Sequence, residues 1–217
     1  MPLTPPRSLP RSLPQPGRRL LIGAAAALAL PGWLTPARAA GRLALTPSQA
    51  EGPFYPDALP ADHDSDLLAV GARRTRGGEV LALRGTLLDP DGRPVDGALV
   101  DLWQCDTAGH YHHPRDGGRA DPDFQGFGRA RTARDGGFAF RTLRPAPYPG
   151  RTPHLHVKVW RGPRALLTTQ LYVAGEPSNE RDFLFRRLDD AGRAALTLAL
   201  QPGPDGWRGD ARLIVAA

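Results

Sequence analysis

One cysteine in 217 residues excludes an internal disulfide, so the fold of this chain must be held by its core alone. Lysine is nearly missing as well: Lys158 is the single one among 28 basic residues. Tyrosines number four and histidines six, so any place where they gather carries information. No apolar run approaches the roughly 20 residues that a membrane-spanning helix needs, and the stretch Leu20 to Leu30 is too short to serve. A basic stripe is also lacking, since the arginines are scattered among acidic residues.

Residues 1–39 stand apart from the rest. They hold Arg7, Arg11, Arg18, Arg19 and Arg38, no acidic residue and many prolines. Arg18-Arg19 runs into the apolar stretch, Pro31 follows it, and Ala37-Arg38-Ala39 offers a small-residue cleavage site. The pattern predicts an export signal of the twin-arginine type, a route that carries folded proteins. It places the mature chain in the periplasm or outside the cell, with no stable membrane span after processing. Taking those five arginines from a formal net charge of +6 leaves +1, which gives nucleic-acid binding no electrostatic support. The remaining residues, 40–217, have the length of one domain, and at 41 % hydrophobic the chain can bury a core.

After an irregular stretch through Pro60 and Asp64, short apolar alternations separated by turn residues predict strands. Val80 to Leu88, the turn Asp89-Pro90-Asp91-Gly92 and Gly97 to Gln104 read as one hairpin. Arg129 to Ala133 and Phe138 to Thr142, around Arg134-Asp135-Gly136-Gly137, read as another. Pro153 to Trp160 and Leu166 to Val173 add two strands, and Leu196 to Leu200 with Ala211 to Val215 are expected to close the sheet. One helix is expected, capped by Ser178 or Asn179, with Glu180 and Asp182 in its first turn and Phe183, Leu184 and Leu188 on its apolar side. The fold class is therefore all-β: a β-sandwich with long loops and one or two short helices.

Chemistry concentrates in Arg151-Thr152-Pro153-His154-Leu155-His156, just after Tyr148. On a strand, residues i and i+2 share a face, so His154 and His156 aim together while Leu155, Val157 and Val159 turn the other way. Two converging imidazoles can chelate a metal, and a phenol joins them only if the metal is acidic enough to remove a proton of pKa about 10. A second tyrosine, Tyr111, lies in the loop Gly109-His110-Tyr111-His112-His113 after a strand ending at Trp103 and Gln104. Two phenolates and two neutral nitrogens favour Fe(III) and disfavour zinc or a thiolate metal, which leaves Cys105 outside the ligand set. His110, His112 and His113 read as solvated, since nothing in a loop pins them.

With these residues in view the chain resembles the intradiol ring-cleavage dioxygenase family, most closely the protocatechuate 3,4-dioxygenase β-subunit type. The resemblance runs through Leu45 to Pro56, Gly85 to Tyr111, Pro145 to Pro149, Arg151 to His156 and Thr169 to Tyr172, in that order. It implies a prealbumin-like sandwich and one non-haem Fe(III) per chain, held by Tyr111, Tyr148, His154 and His156. It implies a small aromatic diol and O2 as substrates, cleavage between the two hydroxyls, and a muconate-type diacid as product. By the same matching Tyr148 is the ligand that a chelating diol displaces, Arg151 is a permanent cation beside the ring, and Gln170 steadies the reacting species. Trp103, and with it Phe54 and Tyr55, would line the substrate pocket. Two departures from the family pattern stand out: only Pro149 and Gly150 separate Tyr148 from Arg151, which predicts a more open site, and no long helical extension precedes the domain.

Two other readings compete. A prealbumin-like module could bind a partner without catalysis, its tyrosines serving as core. An exported metal-binding protein could use His110, His112 and His113 with the strand pair to hold zinc or copper. The sequence leaves room for a homo-oligomer and does not name the diol.

Overall fold

The computed structural model describes residues 41–217; the expected export signal lies outside the described residues. The strands in chain order are β1 (Ala69–Val70), β2 (Arg73–Arg74), β3 (Val80–Leu88), β4 (Leu99–Trp103), β5 (Phe127–Arg131), β6 (Gly137–Leu143), β7 (His154–Arg161), β8 (Arg164–Val173), β9 (Thr197–Leu198), β10 (Gln201–Gly203) and β11 (Gly206–Ile214). They form a four-stranded sheet in the order β10-β11-β3-β6 and a five-stranded sheet in the order β5-β4-β7-β8-β9, with β1 and β2 as a separate ribbon. Leu81, Leu83, Leu87, Phe140 and Leu213 from the first sheet meet Val100, Leu102, Leu155, Val157 and Val159 from the second in one core. This is the expected all-β sandwich. Among the described residues no helix is long and apolar enough to cross a membrane.

Both expected hairpins are corrected. The turn after β3 forms, with Gly92 N–H donating to Asp89 O at 2.9 Å, but β4 pairs with β5 and β7, not with β3. The turn at Ala133 to Gly137 also forms, yet β6 pairs with β3 while β5 stays with β4. Each turn is an arch that carries the chain from one sheet to the other. The reason is burial: crossing lets the apolar side chains of β3 face those of β4 through the core, whereas a hairpin would set them side by side in one sheet. The strands expected to close one sheet likewise part company, β9 extending the five-stranded sheet beside β8 and β11 running parallel to β3.

The expected helix at residues 178–188 is two 3-10 turns, Pro177–Arg181 and Phe185–Arg187, the first capped by Glu176. Phe183 is 54 % exposed, so the apolar side drawn for that helix does not exist. The α-helix, α1 (Asp190–Leu196), begins immediately afterwards with Asp189 accepting from Gly192 N–H at 2.7 Å. Asp182 splits its carboxylate, Oδ1 accepting from Leu184 and Phe185 N–H at the second 3-10 turn and Oδ2 from Arg151.

Candidate metal centre

At one end of the five-stranded sheet the outer face is as buried as the inner one. In register across β4, β7 and β8 lie Trp103, His156 and Gln170, and beside them His154 faces Tyr172. His154, His156 and Gln170 are each at most 1 % exposed. The shared strand face predicted from i, i+2 spacing is there: the two Nε2 atoms stand 3.1 Å apart. Burial drives the His154 pKa down to about 4, with Arg151 adding to the effect. Burial, then His154 and Arg151, drive His156 well below its ordinary value. Burial thus disfavours the charged form of both rings.

Two loops bring the phenols. Asp106 accepts from Ala108 N–H and His110 N–H, both at 2.9 Å, and Asp116 accepts from Tyr111 N–H at 3.2 Å, which fixes the loop after β4. Gly109 has φ +84°, and a Cβ there would stand 3.1 Å from Pro147 O and from Tyr148 Cβ, so the two tyrosine loops touch at a glycine. Tyr148-Pro149-Gly150-Arg151 is a tight turn closed by Arg151 N–H donating to Tyr148 O at 2.9 Å, with Gly150 at φ +82°. Proline second and glycine third is what a type II turn favours. The short spacing noted in the sequence is this turn, and it sets Arg151 beside the Tyr148 ring.

The four rings close on one another. Ring centroids are 5.5 Å apart for Tyr111 and Tyr148, 5.4 Å for Tyr148 and His154, 4.7 Å for His154 and His156, and 6.0 Å for His156 and Tyr111. Burial pushes both phenols above their ordinary pKa, and only for Tyr148 does Arg151 pull strongly the other way.

Arg151 makes three contacts: Nε donates to Asp182 at 2.7 Å, Nη1 to the Tyr148 hydroxyl at 3.3 Å and Nη2 to Gln170 Oε1 at 2.5 Å. The Asp182 side chain is fully buried. Burial opposes its charge, but hydrogen bonds from Arg151, Phe185 and Thr152 outweigh that and hold the carboxyl below the usual range. The expected lone cation is therefore half of a buried ion pair, and what Arg151 offers is aimed N–H groups more than net charge. Over this floor runs the segment Gln49 to Tyr55. Gln170 donates to Ala50 O at 2.9 Å, Lys158 pairs with Glu51, and a Cβ on Gly52 would stand 3.4 Å from His156 Cε1. Phe54 stacks on Tyr111 at 4.5 Å.

A family model described as Dioxygenase matches residues 50–201 of this chain. The chain belongs to the intradiol ring-cleavage dioxygenase family. It is 36 % identical over 152 residues to the protocatechuate 3,4-dioxygenase beta chain of Burkholderia cepacia, covering 64 % of this chain and 63 % of that one. Over 154 residues it is 32 % identical to the hydroxyquinol 1,2-dioxygenase of Nocardioides simplex, covering 62 % of this chain and 49 % of that protein. The matches thus span less than two thirds of these curated relatives. Among solved structures, the dioxygenase domain of a dioxygenase carbohydrate-binding protein fusion from Streptomyces sp. SirexAA-E superposes with a TM-score of 0.63 at 34 % identity, covering 79 % of this chain and 97 % of that one.

In this member of the intradiol family the donor set itself calls for a cation. His154 donates its Nδ1 proton to Thr152 O at 2.6 Å, which leaves a bare lone pair on Nε2 facing His156. His156 Nδ1 and the Tyr111 hydroxyl are both buried without a hydrogen-bond partner. Leaving such groups unpaired is costly, and a metal among the four rings would take up the Tyr111 oxygen and the Nε2 lone pairs of the two histidines.

The remaining sequence candidates of the family member fall outside this ring of four. His113 is buried, not solvated: its Nδ1 accepts from Arg115 N–H and its ring meets Phe54 edge-on. His110 bonds Asp116 and His112 bonds Asp121 O, so the three loop histidines diverge. Among the described residues no three of His, Cys, Asp and Glu come together, which removes support from the zinc or copper reading. Burial pushes the Cys105 thiol up to about 12, making it an inert core residue. Trp103 is buried and stacked on His156 at 4.6 Å, a support for that ring more than a pocket wall, and Tyr55 turns its hydroxyl to Asp101 at 2.7 Å. Sequence reasoning missed Asp182 and Asp101. For Asp101 a signal existed, since it shares a strand face with Trp103 and so marked that face as more than solvent.

Proposed function

We propose that this protein is a non-haem ferric dioxygenase that opens a catechol-type ring between its two hydroxyls with O2 and releases a muconate-type diacid. The observation that supports this most is the closed ring of Tyr111, Tyr148, His154 and His156, with buried lone pairs that lack partners. These four would hold one Fe(III) per chain. When bound, the ferric ion would ionise the phenols and draw electron density from a chelated diol, so that O2 attacks carbon.

The chain's own groups divide the remaining work. Tyr111 is 2 % exposed and sealed under Phe54, whereas Tyr148 is half-buried. Tyr148 is thus the phenol that an incoming diol can reach, and its oxygen can take a diol proton while Arg151 Nη1 donates to it. The Arg151 guanidinium, fixed on three sides, presents its donors where negative charge grows on the ring. Gln170 holds Nη2 in place and ties it to the covering segment through Ala50. Protocatechuate and hydroxyquinol, named for the relatives, are both aromatic diols, and a small diol with O2 is the substrate class proposed here. We also propose export by the twin-arginine route, supported by Arg18-Arg19 ahead of Leu20 to Leu30.

Colour and product test the reading. The iron-loaded protein should be red-brown from tyrosinate-to-iron charge transfer, and Tyr148→Phe should bleach or shift that band. With catechol, protocatechuate and hydroxyquinol, oxygen uptake should give a diacid; a colourless protein carrying stoichiometric iron, or a yellow semialdehyde product, would refute it.

A further inference from the structure

Asp182 is a buried carboxylate that bonds Arg151 directly and connects to His154 through Thr152. Its Oδ1 accepts from Leu184 N–H and Phe185 N–H, both at 3.0 Å, which anchors it to the loop after β8. Its Oδ2 accepts from Arg151 Nε at 2.7 Å and from Thr152 N–H at 3.1 Å. Thr152 is also held by its hydroxyl, 2.8 Å from Ser178 Oγ and from Asn179 Oδ1. The carbonyl of this pinned residue is what His154 Nδ1 binds at 2.6 Å. Pro153 stiffens the one residue between them.

We infer that Asp182 is a positioning residue that sets two groups at once: the direction of Arg151, and the tautomer and tilt of His154. For Arg151 the argument is one of exclusion. With Nε taken by Asp182 and Nη2 by Gln170, only Nη1 is left to meet the Tyr148 hydroxyl. For His154 the argument is one of tautomer. A neutral imidazole has one N–H; giving it to Thr152 O leaves Nε2 as the acceptor, the form a metal requires. Without Asp182, residue 152 would lose the restraint on its nitrogen, and the carbonyl that accepts from His154 Nδ1 would be held only through the Thr152 hydroxyl and Pro153. Carboxylates that act through an intervening hydrogen bond on a ligating histidine serve this purpose in metal sites generally.

The inference rests on the proposed metal centre, so its test begins on iron-free protein. In ¹⁵N spectra of the metal-free full chain, wild type should show His154 protonated at Nδ1 and a downfield, slowly exchanging Arg151 Nε–H. Asp182→Ala should populate the Nε2–H form of His154, move the Arg151 Nε–H resonance to solvent-like values, and weaken Fe(III) binding about 10- to 100-fold. Asp182→Asn keeps an acceptor oxygen but loses the charge; His154 should stay protonated at Nδ1, while the Arg151 resonance shifts and iron affinity falls by less than about ten-fold. Unchanged His154 and Arg151 signals in folded Asp182→Ala would overturn the inference. Should that variant not fold, an unchanged Arg151 resonance and iron affinity in Asp182→Asn would overturn it. If wild type fails to bind Fe(III) yet the nitrogen signals respond as described, the ferric reading fails while the positioning role stands.

Discussion

Trp103 lies flat against His156, the ring centroids 4.6 Å apart and the planes 12° from parallel. His156 has no hydrogen bond at Nδ1, unlike His154, so its orientation comes from packing: an indole on one side and Gly52 against its edge. The two histidines of the proposed centre are thus fixed by different physics, one by a bonded carbonyl and the other by a wall.

Trp103→Leu should remove that wall and let the His156 ring tilt. Iron affinity, measured by competition with a chelator, should fall about ten-fold, while Trp103→Phe, which keeps a flat face, should lose much less.

Acid should weaken the iron-free protein in a defined window. An unfolded histidine titrates near 6.5, whereas burial holds His154 at about 4, so below 6.5 the unfolded chain binds protons that the native one refuses. Stability present above 6.5 is lost progressively down to about 4, by on the order of 3 kcal/mol from this ring. Melting temperature against pH should show the slope, and it should flatten in His154→Asn. Iron, binding only the native form, should raise the melting temperature at neutral pH, and its removal by a chelator should lower it.

Asp101 is fully buried and receives Tyr55 Oη at 2.7 Å, Trp160 Nε1 at 2.8 Å and two bonds from Arg129. Asp101→Ala strands Arg129 in a largely buried position and should cost about 3–5 kcal/mol in urea unfolding. It should also release Tyr55 and with it the segment that carries Phe54, so limited proteolysis should cut near residues 51–57 in the variant before wild type.

Gly109→Ala would force a side chain into the left-handed region and against Pro147 O. A loss of about 1–3 kcal/mol is expected, with a shift of the tyrosinate band because Tyr148 is the atom group displaced. A spectrum identical to wild type would mean that the Tyr111 loop does not set the position of Tyr148.

The strands and the pair His154 and His156 were legible because both depend on short-range rules, whereas Tyr111, in a distant loop, joined the set through the chemistry of the donors and the family resemblance. Alternation gave β3, β7 and β8, and i, i+2 spacing gave the shared face of His154 and His156. Partner choice was not legible, since Asp89-Pro90-Asp91-Gly92 makes the same turn whether the chain folds back into its own sheet or crosses to the other. Asp182 escaped notice for a related reason. An acid after Pro177 and Glu180 reads locally as a first-turn helix residue, and only the fold reveals that Arg151, 31 residues away, claims its carboxylate.

The parallel pairing of β3 with β11, in which Leu81 meets Trp207 and Leu88 meets Ile214, bears on when the proposed iron could enter. β11 sits inside its sheet, between β10 and β3, so that layer stays open until residues 206–214 have been synthesised. The layer bearing the four rings presses its apolar underside on that sheet. The four residues proposed as ligands, from Tyr111 to His156, are therefore all translated well before they can be held in place, and capture of the proposed metal would wait for the last long strand.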